Sequence, residues 1–101
     1  MASLYLTEYG GTGTNAQIVQ GPNNAATQKL TIGSETKSTA FGPNTHIIRV
    51  HVDAICSIHI GPADVNGNYV AATTSSARLS ADSTEYFGVN PGDKLSVITN
   101  T

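Results

Sequence analysis

Thr45-His46-Ile47-Ile48-Arg49-Val50-His51-Val52 is the stretch that decides the fold class. Threonine, isoleucine and valine, whose branched Cβ suits a pleated strand better than a helix, fill most of it. A strand alternates its side chains, so His46, Ile48, Val50 and Val52 share one face, and Thr45, Ile47, Arg49 and His51 the other. The apolar face predicts Ile48, Val50 and Val52 as core. Cys56, Ile58 and Ile60 continue the pattern after a break at Asp53-Ala54, which reads equally as a tight turn or a bulge. Leu30-Thr31-Ile32 and Leu95-Ser96-Val97 alternate in the same way.

Working outward, turn formers punctuate the chain: Gly21-Pro22-Asn23-Asn24, Gly42-Pro43-Asn44, Gly61-Pro62, Asn66-Gly67 and Asn90-Pro91-Gly92-Asp93. Between them lie strand-length segments at Leu4 to Tyr9, Lys29 to Gly33, Lys37 to Phe41, Thr45 to Val52, Ile55 to Ile60, Tyr69 to Thr73, Glu85 to Val89 and Lys94 to Thr99. This rhythm predicts an all-β chain, a single antiparallel sandwich or jelly roll of about eight short strands. Helix evidence is confined to Thr73 to Asp82, which suits a loop or an irregular edge strand better. Residues 10–27 read as a loop-rich or arm-like segment in which only Ile18 and Val19 are large and apolar.

Length and composition agree. The chain has 101 residues, enough for one domain with one core, and only 12% of them are charged. Thr, Ser, Asn and Gly together supply 40 of the 101 residues, so the polarity is of the neutral, hydrogen-bonding kind. A formal charge of -2 gives no footprint for gripping a phosphate backbone, so nucleic acid is not expected as a partner. No apolar run is long enough to cross a bilayer and the first residues lack a signal-peptide pattern, so neither a membrane nor export by a cleaved signal is expected.

The candidate chemistry is sparse. Gly10-Gly11-Thr12-Gly13-Thr14 lacks the Lys-Ser/Thr ending and the helix of a phosphate loop. His46, His51 and His59 fall on two neighbouring segments with Asp53 close by, but no His-x-His pair shares a strand face; His51 and His59 would have to meet across a hairpin to bind a metal. Cys56 sits in an apolar alternation and reads as a buried thiol. No residues assemble a nucleophile, a base and an orienting group, so neither a catalytic site nor a cofactor or metal is expected. Protein contacts are the better reading of the remaining residues. Tyr86 and Phe87 must face opposite ways, leaving one ring for the surface; Ile47 and Ile55 are apolar on the side away from the core; Tyr69, Ile18 and Val19 complete the candidates.

The C-terminal unit runs Leu79-Ser80-Ala81-Asp82-Ser83-Thr84-Glu85-Tyr86-Phe87-Gly88-Val89-Asn90-Pro91-Gly92-Asp93-Lys94-Leu95-Ser96-Val97-Ile98. Pro91 presets φ and Gly92 admits a positive φ, so a type II turn is expected, with Val89 and Leu95 flanking it in a hairpin. This unit, with Ile47-Ile48-Arg49-Val50 and Cys56-Ser57-Ile58-His59-Ile60-Gly61 before it, resembles the small β-domain virion proteins of tailed bacteriophages. The resemblance covers roughly residues 45–98. It implies a structural role in the virion, capsid decoration (cementing) first, by packing on the major capsid or another virion protein as a homo-oligomer. A head-tail junction component remains open, as does a carbohydrate- or receptor-binding module of a fibre using Tyr69, Tyr86, Asp64 and Asn68.

Overall fold

The computed structural model describes residues 2–10 and 26–100. Ile18 and Val19 lie outside them. The described residues form an all-β sandwich without helix: β1 (Ser3–Gly10), β2 (Ala26–Thr31), β3 (Thr36–Lys37), β4 (Thr45–Val52), β5 (Cys56–Gly61), β6 (Ala77–Leu79), β7 (Ser83–Gly88) and β8 (Lys94–Thr99). Two antiparallel four-stranded sheets result, sheet A in the order β2-β1-β4-β7 and sheet B in the order β3-β8-β5-β6.

The alternation sets which side chains fill the space between the sheets. Leu4 and Leu6 of β1, Ile48, Val50 and Val52 of β4, Cys56 of β5 and Leu95 and Val97 of β8 have no exposed surface, and Ile58 nearly none. Burying a side chain of this size contributes about 1.5–3 kcal/mol each. Ile60, expected in the core, is only partly buried. Sheet B's edge strand β6 pairs with β5 only from Cys56 to Ile58, so among the described residues no strand flanks Ile60 on that side. At the start of β4 the expected faces exchange: Thr45 is buried and His46 exposed, because the β1–β4 register shifts between Tyr9 and Gly10.

Several expectations for the elements need correction. Asn90 to Asp93 is a turn with Gly92 at φ +87° and the Asp93 amide bonded to the Asn90 carbonyl, yet it closes no hairpin: β7 belongs to sheet A and β8 to sheet B. Phe41 captures the turn, donating its amide to the Asp93 carbonyl and accepting from the Gly92 amide, which steers the chain across the sandwich. The Asp53-Ala54 break likewise joins two sheets, so β4 and β5 are not hairpin partners. Tyr69 to Thr73 is no strand, having a single bridge from Tyr69 to Ala63, while the edge strand β6 at Ala77–Leu79 lies within the Thr73 to Asp82 stretch that reads as a loop or an irregular edge strand. Of Lys37 to Phe41, only Lys37 lies in a strand.

Candidate functional site

The two outer faces of the sandwich differ. On sheet B the outward residues include Ser57, His59, Lys94 and Ser96, and the segment between β5 and β6 is tied down over them. Ser96 Oγ accepts the Ala72 amide at 2.7 Å and donates to the Glu35 carboxylate. Asn100 Nδ2 donates to Ser57 Oγ at 2.7 Å and to the Thr74 carbonyl at 3.2 Å. Ser57, Ala72 and Ser96 are consequently buried although both serines point away from the core. Tyr69 donates its hydroxyl to the Gly92 carbonyl at 2.8 Å, and Lys94 Nζ sits 4.5 Å from the centre of its ring. Tyr69, a contact candidate from the sequence, is thus engaged within the chain.

Glu35 and Lys37, 3.0 Å apart, complete this polar seal. The Ser96 hydroxyl, more than Lys37, holds the Glu35 carboxyl below the usual range, against an opposing effect of burial.

Sheet A presents a different surface. The register sets its outward side chains in rows across the strands: Lys29, Tyr5, His51 and Thr84; then Thr27, Thr7, Arg49 and Tyr86; then Tyr9, Ile47 and Gly88. Three of the four tyrosines and two of the five Lys and Arg residues of a net-negative chain share this face, with Lys29 and Tyr86 exposed but Thr7 and Tyr9 buried. Lys29 Nζ lies 5.7 Å from the centre of the Tyr5 ring, whose other side neighbours His51 at 6.4 Å between ring centres. Tyr86 is 50% exposed, while Phe87 turns inward against the core, as neighbours on a strand must. Among the described residues no hydrogen bond ties another segment across the face.

Of the sequence candidates, Ile47 and Tyr86 come together on this face. Ile55 is partly buried in the β4–β5 connection, where its carbonyl accepts the Asn100 amide. Tyr5, Tyr9, Lys29 and Arg49 were not anticipated as members, although Arg49 shares the alternation set of Ile47, and Tyr5 and Tyr9 are four apart in one strand. Val65 and Val70, fully and 62% exposed in the segment over sheet B, were missed as well.

The histidines do not gather. His51 points outward from sheet A and His59 from sheet B, while His46 lies at the far end of β4. His46 instead lines a cleft of about 600 Å3 with Ile60, Phe87, Val89, Asn90 and Asp93, on the side left open by the short β6. Cys56 is fully buried, and burial pushes its thiol pKa up, which keeps it in the unreactive protonated form.

No protein-family model, curated protein or solved structure matches this chain. The fold and the face therefore carry the functional reading alone, beside the resemblance of residues 45–98.

Proposed function

We propose that this chain is a structural protein of a tailed-phage virion, a capsid decoration protein in the first place. It is made in the host cytoplasm and held in the particle, as a homo-oligomer, by packing on the major capsid or another virion protein. The reading has no catalytic step, cofactor, nucleic acid or membrane in it. The observation that carries it is the tyrosine- and cation-bearing outer face of sheet A, on which Lys29 and Tyr86 are exposed, Tyr5, Ile47 and Arg49 half-buried and Thr7 and Tyr9 buried, set against the sealed face of sheet B. Tyrosine and arginine are the residues on which protein interfaces concentrate their energy, and the neutral hydroxyl and amide groups elsewhere dock without a large desolvation penalty.

The winding of the chain supports the same reading. With β2 taken as the first strand and β1 as the last, the last strand lies between the first and third, and the seventh between the second and fourth. That is a jelly roll with permuted ends, an architecture used by capsid and lectin domains alike. The lectin association keeps a fibre module as the second reading, with the cleft at His46, Phe87 and Asp93 as its binding place.

The test is co-sedimentation of the purified chain with particles that carry its genome but lack the chain. Arg49→Glu with Tyr86→Ala is expected to weaken binding about tenfold or more, and Val65→Ser with Val70→Ser to leave it unchanged. Failure of the wild-type chain to bind any particle form would remove the decoration role, and binding of a glycan in the cleft would favour the fibre module.

A further inference from the structure

At the rim of sheet A, His51, Asp53 and Asp82 come from three separate places in the chain: the end of β4, the β4–β5 connection and the turn before β7. One potential ligand atom from each lies within 4.8 Å of the other two, and His51 Nε2 is 3.6 Å from Asp53 Oδ1. Four-coordinate zinc, with each nitrogen or oxygen about 2.0 Å away, sets its ligands about 3.3 Å apart, so the His51–Asp53 pair is already near that spacing. Asp82, exposed in its turn, has the small remaining distance to close.

Two further observations point to a cation. The other ring nitrogen of His51, Nδ1, is 2.8 Å from Oγ1 of Thr84, its cross-strand partner. That contact turns Nε2 toward the carboxylates, and with the proton on Nδ1 the Nε2 lone pair is free to ligate, the outer-shell arrangement typical of metal-binding histidines. Among the described residues, neither the Asp53 nor the Asp82 carboxylate has a Lys or Arg partner or accepts a hydrogen bond. Two carboxylates thus converge on one imidazole with no positive side chain between them.

We propose that His51, Asp53 and Asp82 bind a divalent transition metal of the zinc type, with water in the remaining position. The mixed nitrogen and oxygen donors favour zinc over magnesium or calcium, which take oxygen ligands in larger number. The site is independent of the capsid reading. It pins the β4–β5 connection to the turn before β7, bracing one end of the outer face of sheet A.

The experiment titrates untagged, chelator-stripped protein with zinc by calorimetry and follows the visible absorption of bound cobalt. One zinc per chain with micromolar affinity is expected, together with the intense cobalt bands of a four-coordinate site. His51→Gln and Asp82→Asn should each weaken binding at least tenfold. Asparagine tolerates the left-handed backbone of Asp82, φ +57°, so that turn is preserved. Thr84→Val should weaken binding about tenfold through loss of ring orientation, while His59→Gln changes nothing. No heat and no cobalt spectrum at millimolar metal, equal loss in His59→Gln, or calcium binding in place of zinc would each overturn the assignment.

Discussion

Glu8 is a carboxylate where the alternation calls for an aliphatic side chain: it follows Leu4 and Leu6 on the inner face of β1 and is 4% exposed. Its Oε1 accepts the Gly42 amide at 2.9 Å and the Thr45 hydroxyl at 2.7 Å, fastening the approach to β4 onto β1 where their register shifts. Glu8→Ala leaves the buried Thr45 hydroxyl and the half-buried Gly42 amide unpaired and is expected to destabilise the fold by about 2–3 kcal/mol, whereas Glu8→Gln keeps an acceptor and loses about 1 kcal/mol. Urea unfolding of the two variants checks this; an alanine variant as stable as the wild type would sink it. Glu35 gives the pH dependence. Its carboxyl is held below the ordinary value of 4.5, chiefly by the Ser96 hydroxyl, so it favours the fold above its unfolded pKa. That contribution is lost as pH falls through the lowered folded value. Acid titration of unfolding free energy should therefore show a steeper decline below about pH 4.5 in the wild type than in Glu35→Gln. Core positions such as Ile48 and Val50 were legible because alternation marks them directly. The partners of Glu8 were not, since they lie 34 and 37 residues away in sequence.

Turns were easier to read than the strands' destinations. Asn90-Pro91-Gly92-Asp93 has the positive φ at Gly92 that its residues require, because turn chemistry is settled within four residues. Which sheet receives the outgoing strand depends on pairing far away in sequence: the Ser38 amide to the Leu95 carbonyl, and the Leu95 amide to Ser38 Oγ. That is why a hairpin was expected where the chain crosses the sandwich. The same limit applies to Tyr69 to Thr73, whose residues suit a strand but whose backbone groups go to Ser96 and Ser76 side chains. Gly92→Ala isolates the turn. A methyl group there meets no atom within 4 Å, so the penalty is the left-handed backbone alone, about 1–2 kcal/mol. Gly88→Ala, equally free of contacts but without the positive φ, should change stability by less than about 0.5 kcal/mol. Equal losses in the two would show that backbone conformation is not what Gly92 supplies.

For the whole molecule, the sandwich and seven of its eight strands were legible, β6 being the exception, but the strand order was not, because alternation assigns a face and never a neighbour. The order observed makes β1 a strand of sheet A flanked by both β2 and β4, so its place does not depend on being joined directly to β2. The two ends of the described chain also meet the same short segment: Ala2 accepts the Ile32 amide through its carbonyl, and Thr99 donates its amide to the Gly33 carbonyl. A linker of about four to six Gly and Ser residues can therefore run from Asn100 back to Ala2, at about 3.3–3.6 Å per extended residue. A permuted chain that begins at Ala26 and ends after Gly10 and the residues that follow it turns β1 into the last strand, as in an unpermuted jelly roll. The ladders β1–β2 and β1–β4 keep their registers because the inward set Leu4, Leu6 and Glu8 fits the core in only one alternation. Opening one connection and closing another changes chain entropy only by the logarithm of their lengths, so the permuted chain should match the parent in circular dichroism and unfold at a similar urea concentration. It should also keep the outer face of sheet A, and with it the binding lost in Arg49→Glu with Tyr86→Ala. A permuted chain that failed to fold would show that the covalent β1–β2 connection, rather than the side-chain pattern, holds β1 between its neighbours.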